Sequence, residues 1–335
     1  MKALILTEYG GPEVMQLANV DAPAVGAHDV LIRTHAVGLN PVDALQRDGA
    51  FKALGPYSFP KIAGNELSGT VVEVGPQVSA FAPGDRVIAR VDVNELGAFA
   101  EQVAVPAAFV AQAPTGIDLD VAAGLPLAGL TAKQALGTDH LDLQPGDQLL
   151  ITGGSGGVGL LAIQLAKLAG AHVTVTASDR GADLVTRAGA DEIINYRTED
   201  VTDRVETFTK VLDLIGEDLG GLLNTLQPGG ALVTLSGPPT PGSLSDVAQG
   251  SRTPIAAAVS RLASLTLRRQ TKKRGVGYEF FLMHPSGAEL AELVTLVEHG
   301  KLAIPFDSSY PVSDFRDAFA RLESRRAKGK VVVTF

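Results

Sequence analysis

A glycine cluster between a short apolar run and an amphipathic helical pattern constrains the fold more than any other feature. The apolar run is Leu149–Thr152, and the helical pattern is Val158–Ala169. Between and within them, Gly154, Gly156 and Gly159 have the spacing G-x-G-x-x-G. A strand, a tight turn and a helix N-terminus in this order present free N–H groups and a positive dipole end to a pyrophosphate. The cluster therefore predicts a dinucleotide-binding turn, with a plain strand-to-helix turn as the alternative.

The three glycines have separate expected tasks in such a turn. We expect Gly154 to permit the sharp turn and Gly156 to let the backbone approach the phosphates. Gly159 then lets the helix pack close to the sheet. The predicted phosphate-binding loop also contains the residues between them: Ser155, Gly157 and Val158.

Length, charge and the lack of cysteine exclude several classes of protein. The 335 residues favour two domains, and the formal net charge of −9 argues against broad nucleic-acid binding. A chain without cysteine forms no disulfide and no thiolate metal site. The local basic run, Arg268–Arg274, is interpreted as a solvated helix end or loop.

Histidine spacing and hydropathy lead to further expectations. None of the six histidines forms an H-x-x-x-H pair or stands near a second ligand at metal spacing, so no metal site is expected. No uninterrupted apolar run is long enough to cross a bilayer, and the first residues lack the features of a signal peptide. We therefore expect a cytoplasmic protein that does not insert into membranes.

The hydropathy pattern divides the chain into three stretches. Residues 1–120 contain short β-like runs between Gly, Pro and Asp, which predicts a β-rich, partly barrel-like domain. Residues 121–284 alternate apolar runs with helical patterns, which predicts a doubly wound parallel sheet. Residues 285–335 return to two helical patterns and a final strand. The predicted fold class is α/β, with a Rossmann-like domain at 121–284 inserted into a β-rich domain of residues 1–120 and 285–335.

Within this scheme, six apolar runs are predicted as strands of the parallel sheet: Leu149–Thr152, His172–Ala177, Glu192–Ile194, Lys210–Leu214, Ala231–Leu235 and Gly277–Met283. In the last stretch, Ser313 is predicted to cap a helix whose apolar face contains Phe315 and Phe319. The final strand is predicted at Lys330–Phe335.

Motifs over nearly the whole chain resemble the medium-chain dehydrogenase/reductases, and specifically their zinc-free quinone and enone (alkenal) oxidoreductases. The motifs stand in the order and spacing of that family. Besides the glycine loop they are Gly38–Asp43, Ala63–Gly69, Pro83–Val87, Leu125–Ala132, Leu168–Ala171 and Gly329–Val333. The resemblance implies a Rossmann-like domain and a GroES-like catalytic domain. It also implies hydride transfer from a nicotinamide cofactor to a small-molecule quinone or enone.

One departure from the wider superfamily bears on the chemistry. Zinc alcohol dehydrogenases carry Gly-His-Glu and a cysteine ligand, whereas this chain has Gly64-Asn65-Glu66 and no cysteine. Without such ligands no Lewis acid polarises a carbonyl oxygen, so interconversion of alcohol and aldehyde is disfavoured. Hydride transfer to a quinone or to an activated C=C is favoured, because conjugation in the acceptor holds the developing charge. A zinc alcohol dehydrogenase remains a distant alternative.

The residues after the second predicted strand bear on the choice between NADPH and NADH. An NAD site ends this strand with an acidic residue, whereas an NADP site needs donors for the 2′-phosphate. Here the strand is followed by Ser178, Asp179 and Arg180, and the resemblance places Tyr196 nearby. Ser178 and Arg180 favour NADPH. Asp179 leaves NADH as the alternative, and a capped helix start without a ligand as another.

The resemblance also implies further site residues. Asn40 and Asp43 belong to a loop near the nicotinamide, where Asn40 either orients the cofactor or acceptor or closes its own loop before Pro41. Cofactor contacts are implied for Thr131, Ile215, Gly216, Ser236, Gly237, Phe281, Met283 and Arg325. Core packing is an equal alternative for Phe281, and Arg326 is the alternative to Arg325.

The acceptor side lacks a residue that related enzymes use. Enoyl-thioester reductases donate a proton from a tyrosine in the loop after Asn-Pro-x-Asp, and here that loop contains Phe51. Phe51 donates no proton but can stack on a flat acceptor, which favours quinones or enones over enoyl thioesters. Tyr57 is the nearest phenol along the chain.

Two functional classes stay open, and measured turnover separates them. The first is an NADPH-dependent quinone or enone reductase. Its catalysis would rest on the orientation of the nicotinamide against the acceptor in a dry cleft between the domains. The second is an NADPH-binding protein with little turnover, as in crystallin-like or redox-sensing relatives. A homodimer through the edge strand Gly277–Met283 is also expected, and a monomeric mass by light scattering would contradict it.

Overall fold

The computed structural model describes residues 1–52, 55–240, 243, 258, 261–262 and 264–335. The chain divides into two compact units. The first unit contains Met1–Leu130 and His284–Phe335, and the second contains Thr131–Met283. The use of these units as a catalytic and a dinucleotide-binding domain stays a prediction.

The strands of the described residues are β1 Lys2–Leu6, β2 Met15–Asn19, β3 Asp29–Gly38, β4 Lys61–Ile62, β5 Glu66–Val74, β6 Arg86–Arg90, β7 Gln102–Pro106, β8 Val110–Gln112, β9 Gln148–Ile151, β10 His172–Ala177, β11 Glu192–Asn195, β12 Phe208–Asp213, β13 Leu226–Thr234, β14 Gly277–Phe280, β15 Phe306–Pro311 and β16 Lys330–Thr334. The α-helices of the same residues are α1 Pro41–Arg47, α2 Leu119–Ala122, α3 Pro126–Leu136, α4 Gly157–Leu168, α5 Asp179–Ala188, α6 Leu219–Thr225, α7 Leu265–Arg274, α8 Gly287–Glu298 and α9 Phe315–Glu323.

The first unit is built on two sheets. A three-stranded sheet has the order β2-β1-β4, and a seven-stranded sheet has the order β15-β16-β3-β5-β6-β8, with β7 paired to β3. Strand β3 is central because it pairs antiparallel with β5, β7 and β16. The core includes Phe99, fully buried, whose ring lies 6.1 Å from that of Phe319 on α9. This is the β-rich domain that the turn pattern predicts.

The second unit contains one six-stranded sheet with the order β11-β10-β9-β12-β13-β14. All five neighbouring pairs are parallel. Five of the six residues of β10 are buried, as expected for a strand covered on both faces. The chain starts at β9 and winds first to one side and then to the other, so the direction reverses between β9 and β12. The predicted α/β fold class, with a doubly wound parallel sheet and a separate β-rich domain, is confirmed.

Two local predictions differ from the structure. The strand predicted at Gly277–Met283 ends at Phe280, so Met283 lies in the following irregular segment. Ser313 does not cap the last long helix: it lies in a short 3₁₀ turn, Val312–Asp314, and Asp314 is the capping position of α9. Because the 3₁₀ turn occupies these three residues, α9 begins only at Phe315, and the Ser313 hydroxyl donates to the Asp314 carboxylate at 2.9 Å.

Two features of the described residues bear on partners. Strand β14 is an edge of the six-stranded sheet, the position through which a homodimer is predicted to pair. The oligomeric state stays a prediction. Among the helices that the structure describes, none has both the length and the hydropathy needed to span a bilayer.

A partly buried ion pair fixes α9 on the first unit. Arg321 of α9 donates two hydrogen bonds to Asp307 of β15, at 2.9 and 2.8 Å, and the Lys328 N–H donates a third at 2.7 Å. Burial by itself would raise the pKa of Asp307, but these bonds and one from Ser308 outweigh it and lower the pKa to about 2. The ionised carboxylate is therefore more stable in the folded chain than in the unfolded chain.

We predict that Asp307→Asn lowers the free energy of unfolding at pH 7 by about 1–3 kcal/mol. Because the folded pKa lies below the unfolded value of 3.8, this contribution is complete above about pH 5. It is lost progressively as the pH falls towards 2. Urea unfolding at pH 7 and pH 3 measures both, with the exposed Asp21→Asn as control. A difference from wild type that is the same at both pH values would contradict the assignment.

Candidate functional site

The predicted cofactor residues of the second unit follow the ends of its strands. All six strands are parallel, so their carboxyl ends lie along one edge of the sheet. The residues that the structure brings to this edge are Gly154–Gly159, Ser178, Tyr196, Ile215, Gly216, Ser236, Gly237, Phe281 and Met283. The reversal between β9 and β12 places the glycine loop at the switch point, where α/β sheets bind ligands.

The glycine loop is tighter than the sequence alone indicates. The left-handed backbone that makes the sharp turn is at Gly153, with φ of +66°, and not at Gly154 as predicted. Gly154 is required for a different reason, since a Cβ there would lie 1.9 Å from Val175 of β10. A Cβ at Gly159 would lie 2.5 Å from the Gly154 carbonyl oxygen, so α4 does pack closely on the loop.

Gly156 leaves the space that a phosphate needs. A Cβ at this position would meet only the Gly153 carbonyl, at 3.6 Å, and the residue is exposed. It is also the N-cap of α4 and has no side chain, so the N-cap residue provides no side-chain acceptor for the first N–H groups of the helix. The open space at Gly156 and the positive dipole end of α4 both fit a dinucleotide pyrophosphate.

The segment after β10 packs against the same loop. A Cβ at Gly181, in the first turn of α5, would lie 2.6 Å from Ser155. Ser178 is the N-cap of α5, but its hydroxyl makes no capping bond. This observation argues against the interpretation of Ser178 as a helix cap only. Arg180 is exposed in the first turn of α5.

The adjacent strand end adds residues that the sequence analysis missed. Ala177 of β10 is paired with Asn195 of β11, and the exposed Tyr196 and Arg197 follow directly. The Asn195 side-chain amide donates to the Asp179 carboxylate at 2.8 Å. One oxygen of Asp179, the residue that leaves NADH as the alternative cofactor, is therefore already bound within the protein. The register of two parallel strands, not the sequence spacing, brings Arg197 towards the segment after β10.

The other residues with implied cofactor contacts differ in burial and in their neighbours. Phe281 is only 2% exposed and its ring lies 4.4 Å from that of His140, which is the packing role named as its alternative. Thr131 is buried in α3. Arg325 belongs to the first unit and is exposed, with a left-handed φ of +54° after α9. Cofactor contacts of these residues stay predictions.

In the first unit, Asn40 belongs to a buried network with an ion pair. Lys330 lies 2.7 Å from Glu66, and both side chains are almost completely buried. Asn40 is 3% exposed. Its amide donates to Glu66 at 2.7 Å and to the Gly38 carbonyl at 3.2 Å, and its oxygen accepts from Lys330. Both amide hydrogens are thus used within the protein, and Lys330 and Glu66 hold the amide in place.

Asp43 lies in the same buried region. Its carboxylate accepts from the Asn40 N–H at 2.7 Å, at the start of α1, and from the Asn65 amide at 2.7 Å. Asn65 also donates to Gln46 at 2.6 Å. Burial raises the pKa of Asp43 to about 6, although these hydrogen bonds and the charge of Lys330 oppose the rise. The pKa of Asp43 therefore lies well above the ordinary aspartate value of 3.8.

Phe51 and Tyr57 are both half-buried in the first unit. Burial, with a smaller contribution from the charge of Asp43, raises the pKa of Tyr57 to about 12. A phenol with this pKa stays neutral at pH 7, which makes it a weak proton donor. The acceptor role of Phe51 stays a prediction.

The donor set of the first unit does not fit a zinc site. Asn65 stands where zinc alcohol dehydrogenases have histidine, and its amide nitrogen donates to Asp43 and Gln46. Zinc sites use thiolate, imidazole and carboxylate ligands, and this chain has no cysteine. Over the described residues, no group of three or more His, Cys, Asp or Glu is arranged to hold a metal ion. Zinc independence of the activity stays a prediction.

Comparison with known proteins gives two matching family models. Residues 26–115 match the alcohol dehydrogenase GroES-like domain, and residues 188–333 match the zinc-binding dehydrogenase model. The chloroplastic quinone oxidoreductase QR1 of Triphysaria versicolor is 33% identical over 99% of this chain and 98% of its own. A chloroplastic NADPH-dependent alkenal/one oxidoreductase of Arabidopsis thaliana is 34% identical over 99% of this chain and 79% of its own.

A solved structure agrees with these relatives. Quinone oxidoreductase of Escherichia coli, in complex with NADPH, has a TM-score of 0.81 at 26% identity and covers 100% of both chains. The identity to the relatives extends over the whole chain, as does the shared fold. The chain is therefore an oxidoreductase that belongs to the medium-chain dehydrogenase/reductase family, in the branch of the quinone oxidoreductases.

Proposed function

We propose that the protein transfers hydride from NADPH to a quinone or to the activated C=C of an α,β-unsaturated ketone or aldehyde, without zinc. The observation that carries the proposal is the glycine loop at the switch point, with the open N-terminus of α4 at Gly156. The names of the relatives support both halves of the acceptor class. The Arabidopsis thaliana relative is NADPH-dependent by name, and the Escherichia coli enzyme was crystallised with NADPH, which supports this cofactor.

The residues of the second unit bind and orient the cofactor, which supplies the hydride when bound. The N–H groups at Gly156–Val158 bind the pyrophosphate at the positive end of α4. Ser178 and Arg180 bind the 2′-phosphate, the first with a hydroxyl and the second with a guanidinium fork. Gly216 contacts the adenosine ribose, and Ser236 contacts the ribose that carries the nicotinamide. Orientation of the reacting carbon is the main catalytic contribution of these residues.

The acceptor side needs little acid from the protein. A quinone or an enone holds the incoming negative charge on its own oxygen, so the proton arrives from water after hydride transfer. Tyr57 is a weak donor for this step because of its raised pKa of about 12. Asn40 and Asp43 maintain the buried polar structure near the acceptor, and Phe51 stacks on its flat face.

The proposed activity predicts a defined pattern of turnover. NADPH oxidation is followed by absorbance against an ortho-quinone, a para-quinone, a linear enone, an alkenal, a saturated aldehyde and an enoyl thioester. We expect turnover only with quinones, the enone or the alkenal, and this turnover should be unchanged after dialysis against a chelator. Turnover of the saturated aldehyde, or loss of activity with the chelator, would indicate a zinc-type enzyme. NADPH binding without any turnover would indicate a binding protein.

Arg180→Ala tests the choice of cofactor. Removal of a charged contact to the 2′-phosphate is expected to raise the KM for NADPH roughly ten-fold and to leave the KM for NADH unchanged. Arg187→Ala is the matched control, because Arg187 is an exposed arginine in the last turn of the same helix. Equal effects of the two variants, or equal affinity of the wild type for both cofactors, would refute the NADPH assignment.

Phe51 provides a test of acceptor stacking. We expect Phe51→Ala to raise the KM for an aromatic quinone several-fold, because a stacked ring pair contributes about 0.5–1.5 kcal/mol beyond area burial. Phe51→Leu keeps apolar volume without a ring, so it separates stacking from simple burial. A small aliphatic enone should be affected much less. Unchanged quinone kinetics in both variants would exclude the stacking role.

A further inference from the structure

We propose that Asp213 is a positioning residue for the cofactor site. Through the hydroxyls of Thr152 and Thr234, its carboxylate fixes three loops at the carboxyl edge of the parallel sheet. The inference rests on the proposed function, since it assumes that a nicotinamide dinucleotide binds at this edge. Asp213 is 0% exposed, so it acts through these loops and not by contact with the ligand.

Asp213 joins three neighbouring strands at their ends. It is the last residue of β12, while Thr152 directly follows β9 and Thr234 ends β13. The Thr152 hydroxyl donates to Oδ1 of Asp213 at 2.6 Å, and the Thr234 hydroxyl donates to Oδ2 at 2.6 Å. Each carboxylate oxygen is therefore bound to a different neighbouring strand.

The Thr152 side of the network fixes the loop after β12. The Leu214 N–H donates to the Thr152 hydroxyl at 3.0 Å, and the Ile215 N–H donates to Oδ1 of Asp213 at 3.2 Å. The Gly216 N–H donates to Oδ2 at 3.0 Å. Three consecutive backbone N–H groups of this loop thus depend on one carboxylate and its threonine.

The Thr234 side of the network fixes the loop after β13. The Ser236 N–H donates to the Thr234 hydroxyl at 3.1 Å, while that hydroxyl donates to Asp213. An ionised carboxylate only accepts, so it forces each threonine hydroxyl to donate inwards and to accept from a loop N–H. A neutral side chain of the same size would not impose this direction on both hydroxyls.

Steric contacts connect the three loops to one another. A Cβ at Gly153, in the glycine loop, would lie 2.6 Å from Ile215, and a Cβ at Gly216 would lie 2.5 Å from the Ser236 carbonyl oxygen. The contact at Gly216 involves backbone, so the loop after β12 packs tightly against the loop after β13, whereas the contact at Gly153 is with the half-exposed Ile215 side chain. A shift of Gly216 would therefore move the loop after β13, which contains a predicted ribose contact.

Burial of a carboxylate is costly, which argues for a role other than packing. The donors to Asp213 are hydroxyls and backbone N–H groups, all of them neutral. An apolar residue would fill the same place in the sheet without the desolvation cost. The charged residue gains its value from the hydrogen bonds that it orders around it.

Two substitutions test the proposal. Asp213→Asn keeps the size but replaces one acceptor oxygen with a donor, which opposes a threonine hydroxyl. Thr234→Val removes one arm of the network without changing the shape. Thr225→Val is the matched control, because Thr225 is also fully buried in the second unit and its hydroxyl donates to the Leu222 carbonyl, outside the network.

The readouts are the dissociation constants for NADPH and NADH, the melting temperature without cofactor, and amide hydrogen exchange without cofactor. We expect Asp213→Asn and Thr234→Val to raise both dissociation constants by the same factor, roughly ten-fold. Exchange should increase at residues 214–216 and 235–237. Thr225→Val should lower the melting temperature about as much as Thr234→Val does, but it should change neither the dissociation constants nor the exchange at these residues.

Unchanged dissociation constants in Thr234→Val, with a melting temperature like that of Thr225→Val, would overturn the positioning role. If Asp213→Asn does not fold, Thr234→Val and Thr152→Val decide the question. Failure of the proposed function would look different, because the wild type itself would then bind neither NADPH nor NADH.

Discussion

The close approach of the glycine loop to strand β10 is the constraint on which the second unit depends. Gly154 admits Val175 where any side chain would collide, and Gly159 brings α4 against the loop. These contacts fix the direction of α4, and therefore the direction in which its free N–H groups point. Gly156, by contrast, is exposed and has open space beside it. The turn is therefore packed on one side and accessible on the other.

The two units stabilise a buried carboxylate in different ways. In the first unit, the Glu66 carboxylate is neutralised by Lys330, and the pair holds Asn40. In the second unit, Asp213 is surrounded by neutral donors from three strand ends. A paired charge fixes two side chains, whereas a carboxylate that accepts only from hydroxyls and N–H groups orders backbone. The second arrangement suits an edge where backbone groups are proposed to bind the cofactor.

Strands and the glycine loop could be predicted because their signals are local. His172–Ala177 is a strand with the predicted bounds, and the G-x-G-x-x-G spacing identified the turn. The torsion at Gly153 is not visible in a sequence, and the glycine spacing alone predicts the sharp turn at Gly154. Asp213 and Thr152 are 61 residues apart and Asn40 and Lys330 are 290 apart, so no spacing rule connects them. The only local sign was a polar residue at the end of an apolar run.

The most direct test of the account is a calorimetric titration of the purified protein with NADPH. We expect saturable binding of one NADPH per chain, at the carboxyl edge of the parallel sheet and against the N-terminus of α4. Gly156→Val should abolish this binding without loss of the fold, because the new side chain would occupy the open space proposed for the phosphates. Absence of saturable binding, or unchanged binding by Gly156→Val, would contradict the account.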